Sequence, residues 1–316
     1  MSENPEYSFV IPAYNEEANI KTLYERIVSL MQNISENWEM IFVNDGSTDN
    51  TISVFKELTE KDKRIKYINL SRNFGHQAAL SAGLKFAKGN AVISMDCDLQ
   101  DPPEIVARMI KKWKKGNHIV YARRKNFRKD NFLKRLGSKI YYRLMGKFTR
   151  IEIPRNVGDF RLIDRKVLKE INTMPEHSRY LRGMVAWTGF KHDFVDYERP
   201  DRQKGESNYT LGKLARLGMD GVFNFSMLPL RIGFILGLIS IISGFGLLLY
   251  QIWDVFINGV YYHLYKWLVV ILFIFMGFMF MLLWIIGEYI GKIYDDVRQR
   301  PLYVIDETKN INPQES

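Results

Sequence analysis

Along the first 125 residues, short apolar runs alternate with stretches of helical periodicity. Residues 7–11, 40–43, 66–70, 91–95 and 119–122 read as strands, and residues 17–31, 51–59, 77–87 and 103–114 read as helices. Regular alternation of the two predicts an α/β domain with a mostly parallel, Rossmann-like sheet. In such sheets ligands bind beyond the carboxyl ends of the strands.

Two later runs follow no amphipathic period. Residues 232–253 and 267–287 contain no charged side chain, and about 20 apolar residues suffice for a helix to cross a hydrocarbon core. Runs that are apolar on every side leave no polar face for water, which disfavours two core helices. A transmembrane hairpin is expected, joined by residues 254–265. Lys213, Arg216 and Arg231 precede it and Lys292, Arg298 and Arg300 follow it, whereas Lys266 stands alone at the loop edge. This bias puts both termini in the cytoplasm, at the inner membrane. The opening MSENPEYSFVIP has no basic-then-apolar leader, so no cleaved signal is expected. The expected organisation is a cytoplasmic catalytic domain over 1–228, two spans within 229–290 and a cytoplasmic tail over 291–316. From residue 294 onward the tail is expected to be extended or partly disordered.

The chain carries 45 Lys and Arg against 35 Asp and Glu, a net charge of +10. Much of the excess lies between Arg123 and Arg150, where Asp130 is the single acid. Phe132, Leu136, Ile140, Leu144 and Phe148 recur there every fourth residue, which predicts a basic amphipathic helix over about 130–149. Such a helix suits an anionic bilayer surface. A nucleic-acid patch is the rival, but no nucleic-acid-binding motif accompanies it. The lone cysteine, Cys97, excludes an internal disulfide framework and fits a reducing compartment.

Three polar clusters stand where the sheet rule places a ligand: Pro12-Ala13-Tyr14-Asn15-Glu16-Glu17, Asn44-Asp45-Gly46-Ser47-Thr48-Asp49, and Asp96-Cys97-Asp98-Leu99-Gln100-Asp101-Pro102-Pro103. Each has a plain structural alternative. Asp-Gly-Ser is turn chemistry, Asp49 can cap a helix, and the two prolines can open one. Together they converge on one crevice. In an extended segment Asp96 and Asp98 point to the same side, and two carboxylates so close repel unless a cation lies between them. Oxygen ligands without a His or Cys pair favour Mg²⁺ or Mn²⁺, with Gln100 as a possible amide ligand and Cys97 facing the core. The histidines, His76 and His118 included, show no ligand spacing and receive no role.

The ordered set VIPAYNEE, VNDGSTDNT, SRNFGHQAALSAG and DCDLQDPPE resembles the family-two inverting glycosyltransferases of GT-A fold. Within them the chain is most similar to the polyprenyl-phosphate group, the bacterial GtrB-type enzymes and dolichyl-phosphate mannose synthases. Gly158-Asp159-Phe160-Arg161-Leu162, the run RQKGESNY from Arg202 and the hairpin extend the match over nearly the whole chain. The resemblance implies a UDP-sugar donor held by Pro12, Tyr14, Glu16, Asp45 and Asp96, and a metal held by Asp96, Asp98 and Gln100. Asp159 falls at the acceptor-side catalytic carboxylate, as base or as positioning group, with Arg161 beside it. Arg123, Arg202, Lys204 and Ser207 are the candidates for the acceptor phosphate, and Arg124 stands between that role and a solvated surface charge. Glucose is the default sugar, and another hexose or GDP-mannose is the alternative. A processive polysaccharide synthase would need more spans and a Gln-x-x-Arg-Trp motif, which is absent, and an inactive membrane adaptor would not need the Asp-x-Asp. The sequence is compatible with a homo-oligomer.

Overall fold

A computed structural model of the 316-residue chain describes residues 4–125, 154, 156–176, 179–198, 246, 249–250, 253, 256–259, 264–298 and 300–311. The chain divides into two compact units, Met1–Thr210 with Arg300–Ser316, and Leu211–Gln299.

The first unit opens with β1 (Tyr7–Ala13), α1 (Glu17–Gln32), β2 (Trp38–Asn44), α2 (Thr51–Lys61), β3 (Ile65–Leu70), α3 (His76–Phe86) and β4 (Ala91–Ser94). A 3₁₀ turn at Pro103–Ile105 leads into α4 (Val106–Lys114), and β5 (Ile119–Arg124) follows. Further on lie β6 (Val157–Asp164), α5 (Arg165–Thr173), α6 (Leu181–Trp187) and β7 (His192–Tyr197). The alternation expected from the sequence is present, with most element ends displaced by one or two residues.

The strands form one sheet in the order β7-β5-β6-β4-β1-β2-β3-β8, where β8 is Ile305–Lys309. β4, β1, β2 and β3 run parallel. β6 runs antiparallel to both β4 and β5, and β8 antiparallel to β3. The sheet is therefore mixed, with a parallel centre. Every residue of β1 and β2 is buried, as central strands covered on both faces require. Pro12 is compatible with this position because the β1–β4 ladder ends at Val10 and Ser94, so its missing N–H breaks no rung on that side.

α3 lies close on the sheet because of its small residues. Ala78, Ala79, Ala82 and Gly83 are all buried, and a Cβ at Gly83 would collide with Val10. On the other side Phe42 stacks on Phe55 with ring centroids 4.6 Å apart, and Phe55 stacks on Tyr67.

The reversed direction of β6 matters most for the site. Antiparallel pairing sets Arg161 opposite Ser94, so the beginning of β6 lies at the carboxyl end of β4. A strand reached from the far side thereby delivers Gly158 and Asp159 to the same edge as the three loop clusters.

One expectation changes. The stretch after residue 294 is not an open tail. The helix α7 (Leu264–Arg298) continues to Arg298, and residues 305–309 form β8 on the edge of β3. Tyr67 donates to Glu307 at 2.6 Å, Lys56 pairs with the same carboxylate at 3.0 Å, and Asn310 donates to the Ile65 carbonyl. An exposed parallel-sheet edge would otherwise present unpaired backbone groups. Concerning the spans, no helix is long and apolar enough to cross a membrane when only the described residues are counted. α7 runs 35 residues through the second expected span, although several of its side chains are outside the described set. The first expected span falls outside it too, apart from residues 246, 249–250 and 253, as does the basic segment 130–149.

A chain ending at Leu302 should lose about 2–4 kcal/mol of stability in the sheet domain, from several hydrogen bonds worth roughly 1 kcal/mol each. Urea denaturation in detergent would register this as a lower midpoint, and an unchanged midpoint would mean that β8 does not brace the sheet.

Candidate active site

Two of the three loop clusters are fastened to each other beyond β1 and β2. Asn15 takes a left-handed φ of 57°, which Asn tolerates better than most residues. Its N–H donates to Ser47 Oγ at 2.9 Å, and its Oδ1 accepts from Thr48 N at 2.8 Å. Glu16 N donates to Thr51 Oγ1, Glu17 N donates to Asp49 Oδ2, and Asn50 N donates to Glu17 Oε2. Asp49 also accepts from Thr51 N at 3.0 Å, whereas the N-cap residue of α2 is Asn50, which makes no side-chain capping bond. Pro12 is buried beneath this seam, Glu16 is half-buried and Tyr14 is exposed at the lip.

Asp45 is 4% exposed, and its carboxylate accepts from Phe74 N at 2.8 Å and from Gly75 N at 3.0 Å. Burial raises its pKa, and the two N–H groups offset that only in part. In this structure the side chain shapes the turn that starts α3. Gly46 follows with φ 67°, and a Cβ there would collide with the backbone of Arg72 and Asn73. Only glycine lets these two loops lie in contact.

The third cluster differs from expectation. β4 ends at Ser94, and residues 97–99 bend, with Leu99 at φ 59°. Asp96 and Asp98 are therefore not related by strand alternation, because the turn competes with extension and Gln100 N donates to Asp98 Oδ1 at 3.1 Å. Asp96 and Asp98 are both half-exposed, Cys97 is buried in the core as expected, and Gln100 is 2% exposed. Among the described residues no group of three or more His, Cys, Asp and Glu side chains is arranged to hold a metal ion. The donor chemistry nevertheless suits a hard cation, which commonly takes one or two protein carboxylates and completes its shell with water and substrate phosphates.

Asp159 is the most heavily bonded acid of the crevice. Its carboxylate accepts from the buried Arg161 guanidinium, from Arg182 Nε at 3.2 Å, from Arg182 Nη2 at 2.9 Å and from Gln77 Nε2 at 3.4 Å. His76 Nε2 lies 3.4 Å from Asp159 Oδ2 and 3.7 Å from Asp96 Oδ1. Burial pushes the Asp159 pKa up, but Arg182, the His76 hydrogen bond and Arg161 outweigh it and hold the carboxyl well below its usual range. Burial lowers the His76 pKa, yet the bond to Asp159 and the charges of Asp96 and Asp159 raise it to about 9. His76 is thus imidazolium at neutral pH.

At the β5–β7 side, Arg123 is bidentate to Asp196, at 2.6 and 3.1 Å, and lies over the Phe194 ring. Arg124 donates to the Tyr197 hydroxyl, which donates to Asp101 at 2.7 Å. Burial and the Asp101 charge push that phenol's pKa upward. The chain Arg124–Tyr197–Asp101 ties the Asp-rich turn to the outer strands.

Of the sequence candidates, the structure brings Asp96, Asp159 and Arg161 together and seams the Tyr14–Glu16 turn to the loop after β2. Arg123 is engaged in an ion pair at the outer strands. Arg202, Lys204 and Ser207 fall outside the described residues. His76, Gln77 and Arg182 joined the cluster without having been given roles. His76 and Gln77 lay in the quoted run SRNFGHQ, but Arg182 sits in RYLRG, which carries no motif.

Acidic turns and a cationic cluster thus meet at the strand ends of a GT-A-like mixed sheet. The chain belongs to glycosyl transferase family 2, whose model matches residues 8–172, more than half of its length. It is 42% identical over 316 residues to the uncharacterized glycosyltransferase YkcC of Bacillus subtilis (98% of this chain, 96% of that one). It is 36% identical to the bactoprenol glucosyl transferase of Shigella phage SfII (97% and 99%) and to a prophage bactoprenol glucosyl transferase homolog of Escherichia coli (96% and 99%). Among solved structures, glucosyl-3-phosphoglycerate synthase of Mycobacterium tuberculosis matches with a TM-score of 0.48 and 19% identity, covering 70% of this chain and 77% of that one.

His76 has a raised pKa in the folded state. Its contribution to stability is therefore complete below its ordinary value of 6.5 and is lost as pH rises through about 9. Stability measured in EDTA should decline across that window in the wild type, and His76→Gln should flatten the decline. Parallel curves for the two proteins would contradict the ion-pair assignment.

Proposed function

We propose that this glycosyltransferase moves a sugar, with glucose as the working assignment, from a UDP-sugar to an undecaprenyl-type polyprenyl phosphate. The anomeric configuration inverts and the reaction takes place at the cytoplasmic face of the inner membrane. The observation that carries this reading is similarity along nearly the whole chain to proteins named bactoprenol glucosyl transferases. The membrane reading has its own support. Leu272, Phe275, Met279, Leu283 and Trp284 of α7 are all exposed, and an apolar helix surface of this extent demands a lipid or protein cover. On this reading residues 1–228 are the catalytic domain, 130–149 a membrane-surface helix, and 232–253 and 267–287 the spans.

The chemistry is a displacement at the anomeric carbon. A phosphate oxygen of the acceptor forms the new C1–O bond as the bond from C1 to the donor diphosphate breaks, and the electron pair leaves with UDP. A phosphate monoester has a second pKa of about 6, so at neutral pH the nucleophile is already ionised and no proton needs to be removed. Asp159, held ionised among three cations, is a weak base and serves to position them. The seam between the first two loops holds the nucleoside end, with Tyr14 available to stack on the base and Glu16 and Asp45 bounding the pocket. Asp96 and Asp98, with Gln100, would hold Mg²⁺ or Mn²⁺, which when bound neutralises the diphosphate as a Lewis acid.

Asp98→Asn keeps the shape and removes one charge. Transfer from UDP-glucose to undecaprenyl phosphate should fall by at least about 100-fold, the cost typical of removing one electrostatic stabiliser, while the protein still folds. Full activity in this variant, or undiminished wild-type activity in excess EDTA, would remove the metal from the mechanism.

Topology can be tested separately, because the native Cys97 is buried. A cysteine replacing Asn258 should react with an impermeant thiol reagent outside intact cells, and one replacing Ser2 should not. The reverse pattern would put the catalytic domain on the wrong side for UDP-sugars.

A further inference from the structure

Acceptor and donor are both phosphate anions, so the crevice needs a cation that is fixed in place and still has hydrogen-bond donors to offer. Three of the four crevice-edge arginines have committed their guanidinium groups. Arg123 is locked to Asp196 and covered by Phe194. Arg124 is turned to Tyr197. Arg161 is 2% exposed and divides its guanidinium between Asp159 and the Leu181 carbonyl.

Arg182 differs from all three. Its side chain is 31% exposed, and one edge of the guanidinium, Nε and Nη2, grips Asp159 at 3.2 and 2.9 Å. Among the described residues its Nη1 makes no hydrogen bond, so that nitrogen and the second Nη2 hydrogen point away from Asp159. An arginine held along one edge by a carboxylate is pre-oriented and can receive an oxyanion on the other edge.

The support beneath it is rigid. Gln77 of α3 accepts from Leu181 N at 3.2 Å and donates to Asp159, and Arg161 holds the Leu181 carbonyl. The short helix α6 is thus fixed at its first residue to both α3 and β6, immediately before Arg182. His76, on α3, links this cluster to Asp96 in the Asp-rich turn.

We propose that Arg182 is the residue that grips the acceptor's phosphate, and that Asp159 is the positioning residue that holds Arg182 in place. The assignment rests on the polyprenyl-phosphate reading above, and it moves the acceptor contact to a residue beyond the family-matched stretch. Asp159 has five N–H donors from Arg161, Arg182, Gln77 and His76 around two oxygens and is 6% exposed. It has little capacity left to accept a proton from the substrate.

The test uses the full-length protein in detergent with farnesyl phosphate as a short acceptor, and measures two things: binding of farnesyl phosphate without donor, and steady-state transfer from the UDP-sugar. Arg182→Gln should weaken farnesyl phosphate binding and raise the acceptor KM by about 10- to 100-fold, the worth of a charged hydrogen bond, with UDP affinity in Mn²⁺ within twofold of wild type. Arg182→Lys should recover part of the loss, keeping the charge without the fork. Arg182→Gln leaves a buried carboxylate short of partners, so the double variant Asp159→Asn with Arg182→Gln relieves that cost and should bind farnesyl phosphate equally poorly. Asp159→Asn alone should raise the acceptor KM because Arg182 loses its anchor.

Several results would overturn the assignment. An unchanged acceptor KM and affinity in the folded double variant would do so, as would a loss confined to UDP binding, which would give Arg182 to the donor diphosphate. A fall in kcat with acceptor KM unchanged in Asp159→Asn would restore that carboxylate as a base. Wild-type protein that binds farnesyl phosphate in an Arg182-dependent way yet transfers no sugar to any polyprenyl phosphate would instead sink the proposed reaction and leave the phosphate site standing.

Discussion

Burying a carboxylate without compensation costs several kcal/mol, and the crevice is organised around how Asp159 avoids that cost. Its partners come from separate parts of the chain: His76 and Gln77 from the start of α3, Arg161 from two residues along β6, and Arg182 from α6. The acid can be reached by all of them only because β6 runs opposite to β4 and brings its first residues to the ligand edge. The same pairing fixes the backbone, since Ser94 of β4 donates to the Asp159 carbonyl. One buried charge therefore joins the parallel centre of the sheet, the reversed strand and the helix that follows it.

The seam between the loops after β1 and β2 is built differently. Among the described residues no ion pair dominates it. The loops after β1 and β2 are joined by a row of bonds from backbone N–H groups to Ser47, Thr51, Asp49 and Glu17 side chains. Asp45 adds the loop before α3 to the same assembly. Each such bond is worth only about 1 kcal/mol, but together they hold three loops in one arrangement before any ligand arrives, which reduces the ordering cost of binding. The two halves thus differ in kind, one held by many neutral hydrogen bonds and the other by a few fixed charges.

The parallel centre of the fold was readable from the sequence because each strand there is a compact apolar run flanked by turn residues, and each helix has a buried stripe such as Ile20, Leu23, Ile27 and Met31. The polar clusters after β1, β2 and β4 were readable for the same reason, since they fall at the strand ends of one sheet. What could not be read was direction and long-range pairing. Nothing in Val157–Asp164 says that the strand runs antiparallel, and without that fact Arg182 and His76 cannot be brought to Asp159. The extended backbone assumed for Asp96 and Asp98 is absent, because β4 ends at Ser94 and Leu99 turns the chain. Ile305–Lys309 failed as a strand because its residues alternate only weakly in polarity. β8 is itself the edge strand of the sheet, with no fully buried residue, so it demands little apolar surface.

The position of β8 also constrains how the protein can be made. Tyr67 and Glu307, which share a hydrogen bond, are 240 positions apart in the chain. During synthesis, β3 must wait for its outer neighbour until the whole intervening chain, α7 included, has been polymerised. Closing so long a loop is entropically slow, and meanwhile the β3 edge is open to unwanted strand addition. β8 therefore works as a lock on a sheet whose other strands are made long before it. A chain cut before Ile305 would have a sheet with an unprotected edge, which favours its aggregation or degradation over its accumulation as a partly working enzyme.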